Sequence, residues 1–216
     1  MDDPLKKTRD RLRITLILYT FSRPIYIEEN DEIAGVFQTE IKIQALDFLL
    51  RYPDFLSCEL MDLMANDSSI DKSEIQTIIK EIYHDEEPVL RVDEMQKFFY
   101  GAYESIDSII LFLKSVRFID FESKRRSDLQ PYDKTYYITK RCVQQVESSL
   151  LSIPSVKWYH DRCKLIKKYF DHYNGSELKK RQYKYQQYNV PYTMLIQNLN
   201  EQVRLSYYEH FTDELP

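Results

Sequence analysis

Nucleophilic or metal-binding chemistry would need histidines and cysteines at close spacing, and this sequence does not provide it. It contains the following histidines and cysteines: His84, His160, His172, His210, Cys58, Cys142 and Cys163. No Cys-x-x-Cys pair occurs, and the histidines show no short metal-ligand spacing. His160 and Asp161 lie beside Cys163, but at this spacing in a helix the cysteine fits better as a small packed apolar residue. The sequence therefore predicts no metal site, no catalytic residue and no cofactor, which argues against an enzyme.

Calcium and nucleotide sites are also disfavoured by the pattern of acids and glycines. The acidic stretch "HDEEP" (residues 84–88) lacks the glycine turn and alternating oxygen ligands of a calcium loop. Only three glycines occur in 216 residues, and none belongs to a phosphate-binding loop. The sequence therefore argues against a glycine-rich nucleotide site.

Two groups of cations could bind phosphates. The first is "KRR" in a polar loop, namely Lys124, Arg125 and Arg126. The second is interleaved with tyrosines and consists of Lys164, Lys167, Lys168, Lys179, Lys180 and Arg181. Lysine and arginine neutralise phosphates while aromatic rings can stack on bases, so these nine residues are candidates for nucleic-acid binding.

The overall charge weighs against a nucleic-acid protein. The net charge is −5 and the isoelectric point is about 5.5. Residues 53–107 carry fourteen acidic against four basic side chains, whereas residues 157–184 carry nine basic against three acidic ones. Such an asymmetry fits either two surfaces that meet different partners or two solvated faces of one domain.

Hydrophobic spacing predicts the elements that would carry these residues. Residues 5–22 read as a helix, followed by a β-rich stretch and an acidic loop up to residue 39. Ile43, Leu46, Leu49 and Leu50 indicate a helix that Pro53 ends, and Pro53-Asp54 opens another, forming a helix–turn–helix-like corner. Residues 66–97 read as an acidic insertion with a short helix near Ser73.

The stretch that begins at residue 104 has the pattern of a winged helix. A helix over residues 104–116 is followed by the strand "RFIDFES", the polar loop "KRRSDLQPYD", the strand "KTYYITK" and another helix, for which Thr139 is the expected N-cap. Beyond Pro154 we expect two or three more helices, with a break at Asn174-Gly175 and Ser176 as a candidate cap.

These elements predict a mainly α fold with a small β-hairpin wing, that is, a winged-helix-like core with additional C-terminal helices. We expect a domain over residues 1–153 that contains the acidic insertion, and a basic, tyrosine-rich helical segment over residues 154–216. No run of about eighteen apolar residues could span a membrane, and "ITLILYTF" is too short and lacks a cleavage site. An odd number of widely spaced cysteines favours reduced thiols, so the sequence predicts a cytoplasmic protein.

Three stretches, in this order, resemble the middle-component family of ABC-three-component systems. "IQALDFLLRYPDFLSCEL" is similar to its Leu-Asp-x-Leu-x-Arg-Tyr-Pro helix corner, "MQKFFYGAYESIDSIILFLKSVRFIDF" to the next block, and "YYITKRCVQQVESSLL" follows. The resemblance covers residues 10 to 152, and Ala102-Tyr103 stands where the family commonly has Pro-Trp. Its motif falls on Leu46, Asp47, Arg51, Tyr52, Pro53, Tyr100 and Gly101, which we expect to be scaffold residues, with Asp47 and Arg51 four apart on one helix face.

The resemblance implies the small accessory subunit of a Lamassu-type anti-phage defence complex. Its partners would be an SMC-like, Rad50-like coiled-coil ATPase and an effector nuclease, with double-stranded DNA as a further candidate. The subunit would dock at the ATPase heads and help couple DNA sensing to effector control. The alternative is a free-standing winged-helix DNA-binding transcriptional regulator, which would need a dimer and a basic recognition helix. The helix over residues 104–114 has two acids and one lysine, which counts against that alternative.

Overall fold

The computed structural model describes residues 4–26, 28, 31–95, 104–125, 131–189, 191 and 194–216. Its helices are α1 (Pro4–Phe21), α2 (Glu40–Arg51), α3 (Pro53–Asn66), α4 (Lys72–His84), α5 (Glu87–Leu90), α6 (Asp107–Ser115), α7 (Lys140–Ser148), α8 (Pro154–Phe170), α9 (Gly175–Gln182) and α10 (Asn200–Phe211). Its strands are β1 (Arg23–Pro24), β2 (Ile33–Gln38), β3 (Ile119–Arg125) and β4 (Pro131–Thr139). The predicted mainly helical fold with a small β component is confirmed over these residues.

The chain divides into two compact units. Unit 1 contains Met1–Asp47 and Ser105–Lys179, and unit 2 contains Phe48–Glu104 and Lys180–Pro216. The predicted division of the chain at residue 153 stays a prediction.

Helix α1 lies in the core of unit 1. Its residues 13–18 are all buried, so this stretch is enclosed on every side rather than lying as an amphipathic surface helix. The buried guanidinium of Arg13 is compensated by Asp47, whose Oδ1 accepts a bond from Arg13 Nε at 2.8 Å, and by Asp10 at 2.6 Å. A charge that is nearly inaccessible to water needs such partners, because an unpaired buried ion is costly.

The sheet of unit 1 is antiparallel, with the described strands in the order β1-β2-β4-β3. Tyr136 and Ile138 of β4 are buried while Tyr137 between them is only half-buried, the alternation of a sheet with one face on the core. Both hairpin strands extend into the stretch that the sequence predicts as a loop. Pairing continues through Ser123 with Lys134 and Lys124 with Asp133, so the expectation of a loop over residues 124–133 is wrong at both of its ends.

Two helix caps were predicted in unit 1, and one of them is correct. Thr139 caps α7, because its side chain accepts the backbone N–H of Cys142. Ser176 was the candidate cap of the following helix, but Asn174 has this role. Asn174 Oδ1 accepts the N–H of Glu177 at 3.0 Å, and the Glu177 carboxylate accepts the N–H of Asn174 at 2.7 Å. This reciprocal pair is a capping box that begins at the asparagine.

Unit 2 is built on α3, which is almost entirely buried from Pro53 to Leu63. The predicted helix in the acidic insertion is present as α4, capped by Asp71 and packed through Ile75, Ile79 and Ile82. Its polar face, with two lysines and two glutamates, is exposed or half-buried while its isoleucine face joins the core, as its three- and four-residue spacing predicts. Aromatic rings fill the centre of the unit, where Phe55 meets Tyr185 at 5.4 Å between centroids.

Candidate functional site

The helix corner that carries the family-like motif is an internal framework. Arg51, only 1% exposed, ends α2 and sends its guanidinium to three acceptors. Nε donates to the backbone carbonyl of Asp93 at 2.7 Å, Nη2 to that of Glu94 at 2.8 Å, and Nη1 to the Glu104 carboxylate at 3.2 Å. The planar guanidinium thereby ties three chain positions together, a geometry that a lysine cannot reproduce.

Tyr52 and Pro53 set the start of α3. Tyr52 is the residue before the helix, and Pro53 occupies its first turn, where the missing N–H has no partner to lose. The Tyr52 hydroxyl accepts the backbone N–H of Met95 at 2.6 Å. Burial raises the pKa of Tyr52 to about 12, so the phenol stays neutral at physiological pH.

Leu46 and Asp47 lie one turn earlier on α2, in the part of that helix that belongs to unit 1. Leu46 is fully buried and Asp47 binds Arg13, so both serve packing. The expected pairing of Asp47 with Arg51 stays a prediction. The two remaining motif residues, Tyr100 and Gly101, lie outside the described residues.

The nine candidate phosphate-binding residues have different environments. Lys124 and Arg125 lie at the end of β3, and Arg126 lies outside the described residues. The exposed members are Lys164, Lys168 and Lys180. Lys164 lies 3.5 Å from the Asp161 carboxylate, and Lys168 lies over the ring of Tyr169.

Three of the candidates are half-buried. Lys167 Nζ donates to the backbone carbonyl of Thr20 at 2.6 Å, so this ammonium group has a hydrogen-bond acceptor within unit 1. Lys179 has its pKa lowered by burial. Arg181 pairs with Glu59 through Nε and with Asp62 through Nη2, the latter at 2.7 Å. Lys167 and Arg181 are therefore engaged within their own units rather than presented to solvent as free cations.

Glu59 is a charged centre that the sequence did not reveal. Its carboxylate, 2% exposed on α3, accepts bonds from Arg181 and, at 2.8 Å, from the Tyr185 hydroxyl. Part of the basic segment is thus neutralised by the acidic region of the same unit. No local sequence pattern could have predicted this pairing, because Arg181 and Tyr185 are more than a hundred positions away from Glu59 in the chain.

The hairpin of unit 1 is preceded by a helix with little positive charge. The exposed side of α6 presents Asp107, Ser108, Leu111 and Lys114. Lys114 Nζ is 2.5 Å from the Asp120 carboxylate, and Asp107 is 2.9 Å from Lys134. This surface is nearly neutral and contains an exposed leucine, a composition that suits a protein partner better than a phosphate backbone.

The cysteine and histidine that could have formed a nucleophile do not have the environment of one. Cys163 is fully buried, and this burial strongly raises the pKa of its thiol. His160 is also buried, and burial lowers the pKa of its imidazole. A thiol that resists ionisation is a poor nucleophile, so Cys163 acts here as a packing residue.

Unit 1 contains a cavity of about 450 Å³ that the sequence did not indicate. Phe21, Arg23, Phe37, Lys42 and His172 are among its lining residues. In unit 2, a second cavity of about 360 Å³ lies beside Tyr83, Pro88 and Arg204.

Metal and membrane features are absent over the part of the chain that the structure describes. No three His, Cys, Asp or Glu side chains of that part are grouped closely enough to hold a metal ion. Likewise, none of its helices combines the length and apolarity that crossing a membrane requires. Comparison with known proteins gave no matching family model, no matching curated protein and no matching solved structure.

Proposed function

We propose that this chain is a non-catalytic accessory subunit of an SMC-like, Rad50-like ATPase complex that defends a cell against phage or plasmid DNA. In this proposal it belongs with the middle components of ABC-three-component systems. It docks at the ATPase heads and helps couple DNA sensing to control of an effector nuclease.

The observation that carries the proposal is the contact between the two blocks of the resemblance within unit 2. The first block contributes Arg51 and Tyr52, and the second begins at Met95. Tyr52 accepts the N–H of Met95, and Arg51 binds Glu104 within that second block. Residues that are far apart in sequence, but specified together by one family pattern, therefore form one framework. This supports a shared fold and a scaffold role for the motif.

The order of elements in unit 1 supports the proposal that this unit is a winged-helix domain. Its order is helix α1, strand β2, helix α2, helix α6 and then the hairpin of β3 and β4. The last strand of the hairpin pairs with β2, so the three long strands are ordered β2-β4-β3. This order supports the proposal of a winged helix, in which residues 48–104 would be an insertion between the second and third helices. A fold of this kind serves protein docking as readily as DNA binding.

The pairing of basic side chains favours docking to a protein over recognition of a DNA groove. The helix before the hairpin, α6, has its exposed lysine paired with Asp120. Arg181, a central member of the basic segment, is paired with Glu59 and Asp62 in unit 2. A DNA-reading helix would instead present unpaired cations and base-contacting side chains to the groove.

Co-expression with the proteins encoded beside it tests this proposal. The tagged chain is captured and washed at about 0.5 M salt, where the Debye length falls to roughly 4 Å and purely electrostatic contacts are lost. We expect a large coiled-coil ATPase to remain bound. The K164Q/K168Q variant, which removes two exposed cations of α8, is the matched control and should retain the ATPase equally well.

The regulator alternative predicts the opposite result. The chain would emerge from the same wash alone, as a dimer, and would bind double-stranded DNA with an affinity that falls steeply with salt. In that case the K164Q/K168Q variant would lose DNA affinity. Such an outcome would replace the accessory-subunit proposal with that of a DNA-binding regulator.

A further inference from the structure

The cavity of unit 1 has the size of a ligand site. It is lined by the end of α1, strands β1 and β2, the start of α2 and the turn between α8 and α9. Its volume of about 450 Å³ falls within the range of roughly 300 to 1,000 Å³ that small-molecule pockets occupy. None of the family-motif residues that belong to unit 1 lines it, so the proposed function leaves this cavity without a role.

Positive charge dominates the polar part of its wall. Lys42 Nζ donates to the backbone carbonyl of Asp171 at 2.8 Å and lies 3.5 Å from the carboxylate of that residue. Arg23 lines the same cavity, is exposed, and forms no ion pair with a described residue. The wall thus carries two cations and one partly exposed aspartate, which is paired with Lys42.

The electrostatics of Lys42 agree with this imbalance. Burial lowers the pKa of Lys42, and Asp171 opposes that effect. The positive charges of Arg23 and Lys167 add to the lowering. The ammonium is therefore only partly compensated by the protein, and a bound anion would stabilise its charged form.

Two helices begin at this cavity, which adds to the positive potential. Helix α2 starts at Glu40 and α9 at Gly175, and the first turn of a helix favours anions. The acidic side chains in these first turns have partners within unit 1. Glu40 binds Lys134 at 2.5 Å, and Glu177 accepts the N–H of Asn174.

Gly175 allows the two helix starts to approach each other. A Cβ at this position would lie 2.6 Å from the backbone nitrogen of Lys42, closer than real Cβ contacts come. Because the nearest atoms belong to the backbone of α2, they could not move aside without shifting that helix. The glycine therefore keeps α9 beside Lys42.

Part of the wall is apolar. Phe21 and Phe37 line the cavity from the end of α1 and from β2, with Pro24 beside them. Apolar walls with a few convergent polar groups are the usual composition of a site for a small organic molecule.

We propose that this cavity binds a small organic anion, with a phosphate or carboxylate group between Arg23 and Lys42 and an apolar body against Phe21 and Phe37. The proposal rests on unit 1 alone and is independent of the proposed function. Phosphates and carboxylates share the chemistry that the two cations recognise, and the experiment separates them.

Titration of the full chain with three matched probes tests the site. Phenyl phosphate and benzoate carry the two anionic groups on the same ring, and benzyl alcohol is the neutral counterpart. We expect one of the anions to bind at least about tenfold more tightly than benzyl alcohol, the gain that one charge-assisted hydrogen bond provides. The anion that binds better identifies the class of ligand.

Variants locate the binding. R23Q and K42Q should each weaken binding of the preferred anion by about tenfold, whereas K164Q, which alters an exposed lysine of the same unit, should leave it unchanged. Because Arg23 is exposed, R23Q keeps the test valid if K42Q fails to fold. The proposal is overturned if neither anion binds better than benzyl alcohol, or if K164Q weakens binding as much as R23Q does.

Discussion

Arg51 donates a hydrogen bond from Nη1 to the carboxylate of Glu104 at 3.2 Å, across a separation of more than fifty residues. The same guanidinium binds the backbone carbonyls of Asp93 and Glu94. Segment 96–103, which contains the motif residues Tyr100 and Gly101, is therefore flanked on both sides by positions attached to one buried arginine.

Replacing Arg51 by methionine should strongly destabilise unit 2. The methionine fills part of the space but leaves two backbone carbonyls and one carboxylate without their donor. We expect a loss of about 3 kcal/mol in the free energy of unfolding, as for other broken buried ion pairs. Urea denaturation measures it. E104Q keeps an acceptor for Arg51 and should cost clearly less, and equal losses in the two variants would contradict the assigned role of the guanidinium.

Arg181 and Lys180 are neighbours in the basic segment, but the structure predicts different consequences for their replacement. R181M should lower the free energy of unfolding by about 3 kcal/mol, because it leaves buried Glu59 without its ion partner. K180M, at an exposed position, should change it by no more than about 0.5 kcal/mol. If R181M left stability unchanged but reduced DNA affinity, the guanidinium would have to face DNA rather than Glu59.

Thr139 joins the hairpin to α7 through one hydroxyl. The hydroxyl accepts the N–H of Cys142 at 3.1 Å and lies 2.8 Å from the carbonyl of Arg117, to which it donates. T139A should lower the free energy of unfolding by about 1 kcal/mol, the usual cost of losing an N-cap. T139S preserves the hydroxyl and should recover most of the loss in the same thermal or urea measurement. A serine variant as unstable as the alanine variant would show that the methyl group matters instead.

His160 should make stability depend on pH. It is buried beside Tyr19, and burial lowers the pKa of its imidazole below the ordinary 6.5, with Lys164 adding to the effect and Asp161 opposing it. Below that value the unfolded chain takes up a proton before the folded chain does, so the free energy of unfolding falls as pH falls.

H160Q cannot titrate at this position. Its free energy of unfolding should therefore fall less than that of the parent protein between about pH 7.5 and about pH 5.5, the range in which histidine charges. For each protein, the reference is its own free energy of unfolding at the higher pH, where the imidazole is neutral in both the folded and the unfolded state. Parallel pH profiles for the two proteins would refute the effect.

The local elements could be predicted from the sequence, whereas most of the charge pairing could not. Isoleucine spacing predicts α4, Pro53 marks the start of α3, and Thr139 marks the start of α7, because each signal acts within one or two turns. Asn174 was missed in favour of Ser176, although both belong to residue types that cap helices. The capping box with Glu177 three positions later was the signal that distinguishes them.

The candidate surfaces show where sequence reasoning stops. Lys167 and Arg181 look like their exposed neighbours Lys168 and Lys180 in the sequence, but the structure uses the first two internally. Their partners, Thr20 and Glu59, are more than a hundred positions away, so no local pattern contains the information. The cavity beside Lys42 escaped prediction for the same reason, since its walls come from three separate stretches of the chain, residues 21–25, 36–42 and 171–175.

Light scattering of the purified chain tests the accessory-subunit proposal most directly. The mass of the chain is measured at about 0.5 M salt, with and without the coiled-coil ATPase encoded beside it. The proposal predicts that the chain joins the ATPase in one larger species that persists when electrostatic contacts are screened. A chain that stays separate from the ATPase and elutes as a DNA-binding homodimer would contradict it.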